Sequence, residues 1–216
     1  SVVSEREVED ASLSLQALPG LATAIDARDA VAIGPGLSQD AGTKQLVRQL
    51  LPKVVKPCVV DADALNALAE DIAVLKRCLG PMILTPHPGE MGRLITLSAK
   101  EVQSDRERIA KTFSAKYGKI VVLKGHRTVV ANVDGELYIN DTGNPGMASG
   151  GFGDVLAGMI AGLLAQHVAP FDAARLGVYL HGLAGDLAAR SRGAVGLIAS
   201  DLLDTIPLAI RQYQQN

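Results

Sequence analysis

The chain has 216 residues, of which 48% are hydrophobic and 3% aromatic, with no tryptophan and a net charge of −2. That is enough apolar material for one globular domain with a sizeable core. The near-neutral charge excludes a nucleic-acid footprint, and the scarcity of rings excludes a stacking platform for single strands.

Residues 1–29 are mixed and weakly patterned. Residues 30–33 form a short apolar run ending in Gly34-Pro-Gly36, a buried strand followed by a turn. A helix is expected over 41–51. Cys58-Val-Val-Asp61 is a second short strand with an acid at its end, and 64–70 read as helix. Met82-Ile-Leu-Thr85 is a third strand, closed by Pro86-His87-Pro88-Gly89. Residues 106–117 form a charged amphipathic helix that stops at Gly118. Residues 120–123 are a fourth strand. Residues 128–131 and 136–139 flank Asp134-Gly135, a strong hairpin signal. Helical segments at 154–166, 171–190 and 201–212 finish the chain.

Strands alternating with helices imply an α/β fold, a mostly parallel sheet covered on both faces. Ligands then collect at the carboxyl ends of the strands. Gly34-Pro-Gly36, Asp61 and Asp63, His87 and Glu90, and Lys124-Gly125 all fall at such ends. Asp61 and Asp63 read as structural, one closing a strand and one capping the next helix. The apolar run 155–165 is too short for a membrane span and contains two glycines. No signal peptide is visible. Cys58 and Cys78 match no metal or redox spacing, so buried, reduced thiols in a cytoplasmic protein are expected.

The most informative stretch is Asn144-Pro-Gly-Met-Ala-Ser-Gly-Gly-Phe-Gly-Asp154, a glycine-dense loop that runs directly into an apolar segment. Such a loop opens a buried helix. The first turn of that helix offers unpartnered N–H groups and a positive dipole. Gly150, Gly151 and Gly153 let an anion approach those groups closely. Asp154 would repel phosphate, which suits a base or a group that orients a hydroxyl; the plainer alternative is a helix cap. No Gly-Lys-Ser/Thr follows, so the loop is not of the Walker type, and Leu156 occupies the third glycine position of the dinucleotide fingerprint.

With these motifs in order, the chain resembles the ribokinase-like superfamily and, more closely, the ADP-dependent NAD(P)H-hydrate dehydratases. The resemblance rests on Ile33-Gly-Pro-Gly-Leu37, Asp61-Ala-Asp-Ala-Leu65, Leu84-Thr-Pro-His-Pro-Gly-Glu-Met91, Val122-Leu-Lys-Gly-x-x-Thr128, Gly143 to Asp154 and His181-Gly-x-Ala-Gly-Asp186. It implies a single ribokinase-like α/β/α sandwich over 1–216. Members usually begin with a glycine-rich strand–helix unit that is not visible before Ala30, so an N-terminally incomplete domain is expected. Phe152 stands where a small residue is usual, Ser149 where Thr is usual, and Ser38 where Gly is common.

The implied reaction is repair of hydrated NADH and NADPH. ADP or ATP with Mg²⁺ would phosphorylate the ring hydroxyl; the ring nitrogen lone pair then expels phosphate, and loss of a neighbouring proton restores the dihydropyridine. Asp154 would accept the hydroxyl proton or hold the hydroxyl in line. Gly150, Gly151 and Gly153 would offer N–H groups to the transferring phosphoryl. Lys124, Gly125, His126, Arg127 and Thr128 would hold the nucleotide; the alternative is a solvated cationic turn. Gly36 and His87 would touch the hydrate. Glu90 stands where related kinases organise magnesium, with His87 in place of their Asn. No role is expected for His181 or Asp186. A vitamin-precursor kinase and a non-catalytic nucleotide-binding module are the alternative functions. The resemblance also implies a homo-oligomer and a fused epimerase domain in a longer protein.

Overall fold

The structure, a computed structural model, describes residues 13–215. Its centre is a six-stranded sheet in the order β1-β2-β3-β4-β5-β6, which is also the chain order. The strands are β1 (Val31–Ile33), β2 (Cys58–Val60), β3 (Met82–Leu84), β4 (Ile120–Leu123), β5 (Val129–Ala131) and β6 (Leu137–Ile139). β1 to β4 run parallel, and β5 and β6 add an antiparallel hairpin. The short Val- and Ile-rich runs suit strands buried on both faces. The hairpin turns at Asp134-Gly135, where the Asp134 carboxylate accepts from the Glu136 amide at 2.9 Å and Gly135 adopts φ +93°.

Helices cover both faces. α2 (Ala41–Leu50), α3 (Ala62–Ala69), α4 (Pro88–Ile95) and α6 (Arg106–Tyr117) pack apolar residues against Ile33, Val60, Leu84, Val121 and Leu123. α7 (Phe152–Ala165) and α8 (Pro170–Arg192) cover the opposite face, where Leu156, Ile160 and Val178 meet Val59, Ile83 and Val122. The alternation along each strand decides which side chains meet which helices. α9 (Asp201–Gln214) lies outside and packs on α8 through Leu202 and Ala209.

α7 begins at Phe152, two residues before the start expected from sequence, because Gly151 takes a left-handed conformation and ends the loop. Residues 1–29 read as weakly patterned, yet α1 (Leu18–Asp26) lies within them and packs on α2. Residues 1–12 of that stretch lie outside the described residues. α4 and α5 (Ala99–Ser104) were not expected either. Both are short, and each is fixed at its start by a reciprocal cap rather than by a long apolar period.

Candidate active site

Four parallel strands end on one edge of the sheet. The ladder continues past their ends: Asp61 N–H donates to Ile33 O at 3.0 Å, Thr85 N–H to Val60 O at 3.1 Å, and Lys124 N–H to Pro86 O at 2.8 Å. Residues far apart in sequence are thereby held side by side. Gly34 makes the close approach possible. It adopts φ +144°, and a Cβ there would stand 1.8 Å from the Asp61 carbonyl oxygen.

Lys124 is not the solvated cation of a loose turn. Its ammonium lies 2.7 Å from the Asp61 carboxylate and 3.8 Å from that of Glu90, and its side chain is only 19% exposed. Asp61 follows the end of β2, as expected, and the same contact gives it a further role. Its side chain makes no cap hydrogen bond to α3 and turns to Lys124 instead. Asp63, expected to cap α3, does not. It lies in the first turn of α3 and accepts from the Ser38 amide at 3.0 Å and from Gln39, tying the loop after β1 to α3.

His87 is the N-cap of α4. Its Nδ1 accepts from the amides of Gly89 and Glu90 at 3.0 and 3.3 Å, while Glu90 returns a carboxylate to the His87 amide at 2.8 Å. An Nδ1 that accepts leaves Nε2 as the N–H of a neutral ring. Burial holds His87 below the ordinary histidine range, opposed by Glu90 and reinforced by Lys124. Glu90 is buried and does two things: it completes this capping box and approaches Lys124.

The first turn of α7 faces the same place. Gly151, at φ +89°, is the N-cap residue, so Asp154 is not a cap. The Asp154 side chain is exposed and takes no hydrogen bond from the described residues. The amides of Phe152, Gly153 and Asp154 likewise have no acceptor among the described residues, as the start of a helix leaves them. A Cβ on Gly153 would stand 3.2 Å from Lys124 Nζ and 3.7 Å from the Asp61 carboxylate. The helix start therefore meets the Lys124–Asp61 pair with no side chain between.

Beside this junction opens a cavity of about 360 Å³. All five residues from Lys124 to Thr128 line it, with Gly153 and Phe152 from α7 and His181 from α8. Gly36, His87, Glu90, Gly150, Gly151 and Asp154 do not line it. Gly36 sits in open space at the end of β1, on the Asp61 side of Lys124. Lys124 and Gly153 line the cavity, while Gly36 and His87 stand outside it, past the ends of β1 and β3.

Two residues without an expected role belong to this frame. Burial pushes His181 down to about 4, so its ring is neutral, and its Nε2 lies 2.9 Å from the Phe152 carbonyl. Asp186 accepts from the Gly143 amide at 2.9 Å and from the Asn144 side chain at 3.0 Å, fixing the loop that leads to α7. Sequence reading set Asp61 aside although it carries a signal, an acid at the end of a parallel strand in line with a lysine two strands away.

The family model for NAD(P)H-hydrate dehydratase matches residues 4–208. The chain belongs to this family. It is 52% identical over 209 residues to the bifunctional NAD(P)H-hydrate repair enzyme Nnr of Moorella thermoacetica, covering 97% of this chain and 39% of that protein. It is 40% identical over 185 residues to the ADP-dependent (S)-NAD(P)H-hydrate dehydratase of Bacillus subtilis, covering 86% and 65%. A crystal structure of the Bacillus subtilis ADP/ATP-dependent dehydratase, co-crystallized with ATP/Mg²⁺, superimposes with a TM-score of 0.77 at 38% identity, over 90% of this chain and 70% of that one. The chain thus spans about two fifths of its bifunctional relative, and its fold is the ribokinase-like one of these dehydratases.

The site's own chemistry fits what such a family member would bind. Unpartnered amides, a lysine and a gap that a Cβ would fill suit polyphosphate oxygens. Among the described residues no three of His, Cys, Asp and Glu converge to hold a metal. Magnesium that keeps its waters and takes oxygens from phosphate needs only one or two carboxylates. Asp61 and Glu90, both close to Lys124, meet that need.

Proposed function

We propose that this chain carries out the nucleotide-dependent dehydration of hydrated NADH and NADPH. The observation that carries the proposal is the meeting of the α7 start, with its unengaged Asp154, and the Lys124–Asp61 pair. The named activity of the Bacillus subtilis relative supports it.

When bound, ADP or ATP supplies a phosphoryl group and Mg²⁺ neutralises charge on it. Lys124 to Thr128 hold the nucleotide in the cavity they line. The amides around Gly150, Gly151 and Gly153 receive the phosphoryl oxygens, and Asp61 and Glu90 supply carboxylates to magnesium. Gly36 and the Nε2–H of His87 contact the hydrate on the Asp61 side of Lys124, outside that cavity. Asp154 takes the proton of the attacking hydroxyl. Its freedom from capping suits that task, because a base needs an unshared lone pair aimed at substrate.

We read 1–216 as one ribokinase-like domain, supported by a single sheet with core on both faces. Exposed apolar residues on α9, among them Leu203 and Ile210, agree with a homo-oligomer. No helix of the described residues is long and apolar enough to cross a membrane. Cys58 and Cys78 are buried and free, which agrees with the cytoplasm. A fused epimerase domain in the longer protein is supported by the bifunctional relatives.

The test is incubation with hydrated NADH, Mg²⁺ and ADP or ATP, following near-ultraviolet absorbance of reduced nicotinamide and free phosphate. Both should rise together. A stable phosphoester on a vitamin-precursor alcohol would make the protein a kinase, and nucleotide binding without turnover a binding module.

A further inference from the structure

Arg106 opens α6 and lies outside every motif considered above. Its guanidinium reaches the turn between β4 and β5. Nη1 donates to the His126 carbonyl, and Nη2 to those of Leu123 and Arg127, at 3.0 Å each. A Cβ on Gly125 would stand 3.2 Å from the guanidinium carbon and 3.3 and 3.4 Å from its two terminal nitrogens. Such near-equal distances put the Gly125 backbone over the flat face of the group. One planar cation, with donors in a rigid fork, therefore gathers three carbonyls of a single turn.

The consequence follows from the peptide bond. The peptides of the described residues are all trans, and a trans peptide points its N–H opposite to its C=O. Carbonyls of 123, 126 and 127 drawn to Arg106 turn the amides of Lys124, Arg127 and Thr128 away from it. The Lys124 amide bonds to Pro86 O. That of Thr128 points back across the turn toward Gly125, and that of Arg127 has no acceptor among the described residues. Arg106 does not line the 360 Å³ cavity but a second one of about 350 Å³, which shares His126 and Arg127 with it. The turn thus stands as a wall, with carbonyls toward Arg106 and the Arg127 amide turned away from it. Arg127 is held at φ +54°, where side chains are rarely found, so the turn needs an external tie. Arg106 forms no ion pair among the described residues, and its Nε is buried without an acceptor. Its charge is thus not taken up by an ion pair, whereas that of Lys124 is shared with Asp61.

We propose that Arg106 is a positioning residue for the nucleotide phosphates, holding the 124–128 turn so that the Arg127 amide and Lys124 face the phosphate chain. The inference rests on reading the first cavity as the nucleotide site. Adenosine, which lacks phosphates, separates the two.

The experiment compares the wild-type protein with Arg106→Ala and Arg106→Lys, using calorimetry with ADP and with adenosine, nucleotide KM and kcat, and melting temperature. Arg106→Ala should weaken ADP binding about tenfold or more, as loss of a charge-assisted hydrogen-bond set does, and leave adenosine binding unchanged. The KM for nucleotide should rise much more than kcat falls, and added guanidinium ion should restore part of the ADP affinity. Arg106→Lys, which can reach only one carbonyl at a time, should fall between the two and carries the comparison if the alanine variant fails to fold. Equal losses for ADP and adenosine, or a lower melting temperature with unchanged ADP affinity, overturn the proposal while leaving the nucleotide site standing. Wild-type protein that binds neither ADP nor ATP overturns the nucleotide site itself and the role of Arg106 with it.

Discussion

At the scale of residues, the site separates groups that hold structure from groups left free for chemistry. Asp154 is free, because Gly151 occupies the cap position. Asp154→Asn should therefore leave the melting temperature unchanged and lower turnover by roughly 10²–10⁴, the loss typical of a missing general base. Retention of most turnover would remove Asp154 from the mechanism. Lys124 is different, since it neutralises the buried Asp61. Lys124→Met strands that carboxylate and should cost as much as about 3–5 kcal/mol of stability, the range for breaking a buried pair. Adding Asp61→Asn should recover part of that loss without recovering nucleotide affinity. Denaturant midpoints for the singles and the double measure the coupling. A double variant no more stable than Lys124→Met would show that the pair does not hold this edge together.

At the scale of elements, α7 is placed by two devices. Gly151 turns the chain into the helix at φ +89°, and a Cβ there would stand 3.0 Å from the Ala199 Cβ. Gly151→Ala should cost about 1–2 kcal/mol through left-handed strain and shift the amides that face phosphate, read as a lower melting temperature with a higher nucleotide KM. The second device is His181, which joins α8 to the first carbonyl of α7. Its folded value is about 4 against an ordinary 6.5. Between those values the unfolded chain binds a proton that the folded chain refuses, so acid favours unfolding. His181 therefore leaves stability at its full value above pH 6.5 and withdraws it as pH falls toward 4. The difference amounts to at most on the order of 3 kcal/mol. His181→Gln should flatten the slope of denaturation free energy across that window and leave the slope above it unchanged. Identical slopes would mean that the imidazole stays protonated in the fold.

At the scale of the whole molecule, the sheet is covered on both faces except near β1. Ala32 is exposed in the middle of that strand, although parallel strands are ordinarily buried on both sides. Cover over this edge, next to Gly36, should therefore matter for catalysis. A protein fused upstream to a segment that packs on β1 should regenerate reduced nicotinamide faster per mole than residues 1–216 alone. Equal rates would show that the β1 edge needs no cover for catalysis. Nucleotide affinity should differ little between the two, because the cavity beside Lys124 is built from the turn between β4 and β5, the loop after β6, α7 and α8.

The strands were legible because each is a run of three or four apolar residues, rich in Val and Ile in most of them, between turn formers, a local pattern that survives packing. The order Gly34, Asp61, His87, Lys124 along strand ends was legible for the same reason: parallel topology turns sequence order into spatial neighbourhood. The glycine loop was legible as the opening of a helix, α7, from composition alone. What the sequence could not decide were partnerships across long separations. Asp61 looked like the close of a strand and became the counter-ion of a lysine 63 residues away. His87 looked like a ligand contact and proved also to cap α4. Arg106 looked like an ordinary first-turn residue and ties three carbonyls up to 21 positions on. A local pattern records which conformation a segment prefers; the field and hydrogen-bond partners of a charged side chain exist only once strands and helices have packed.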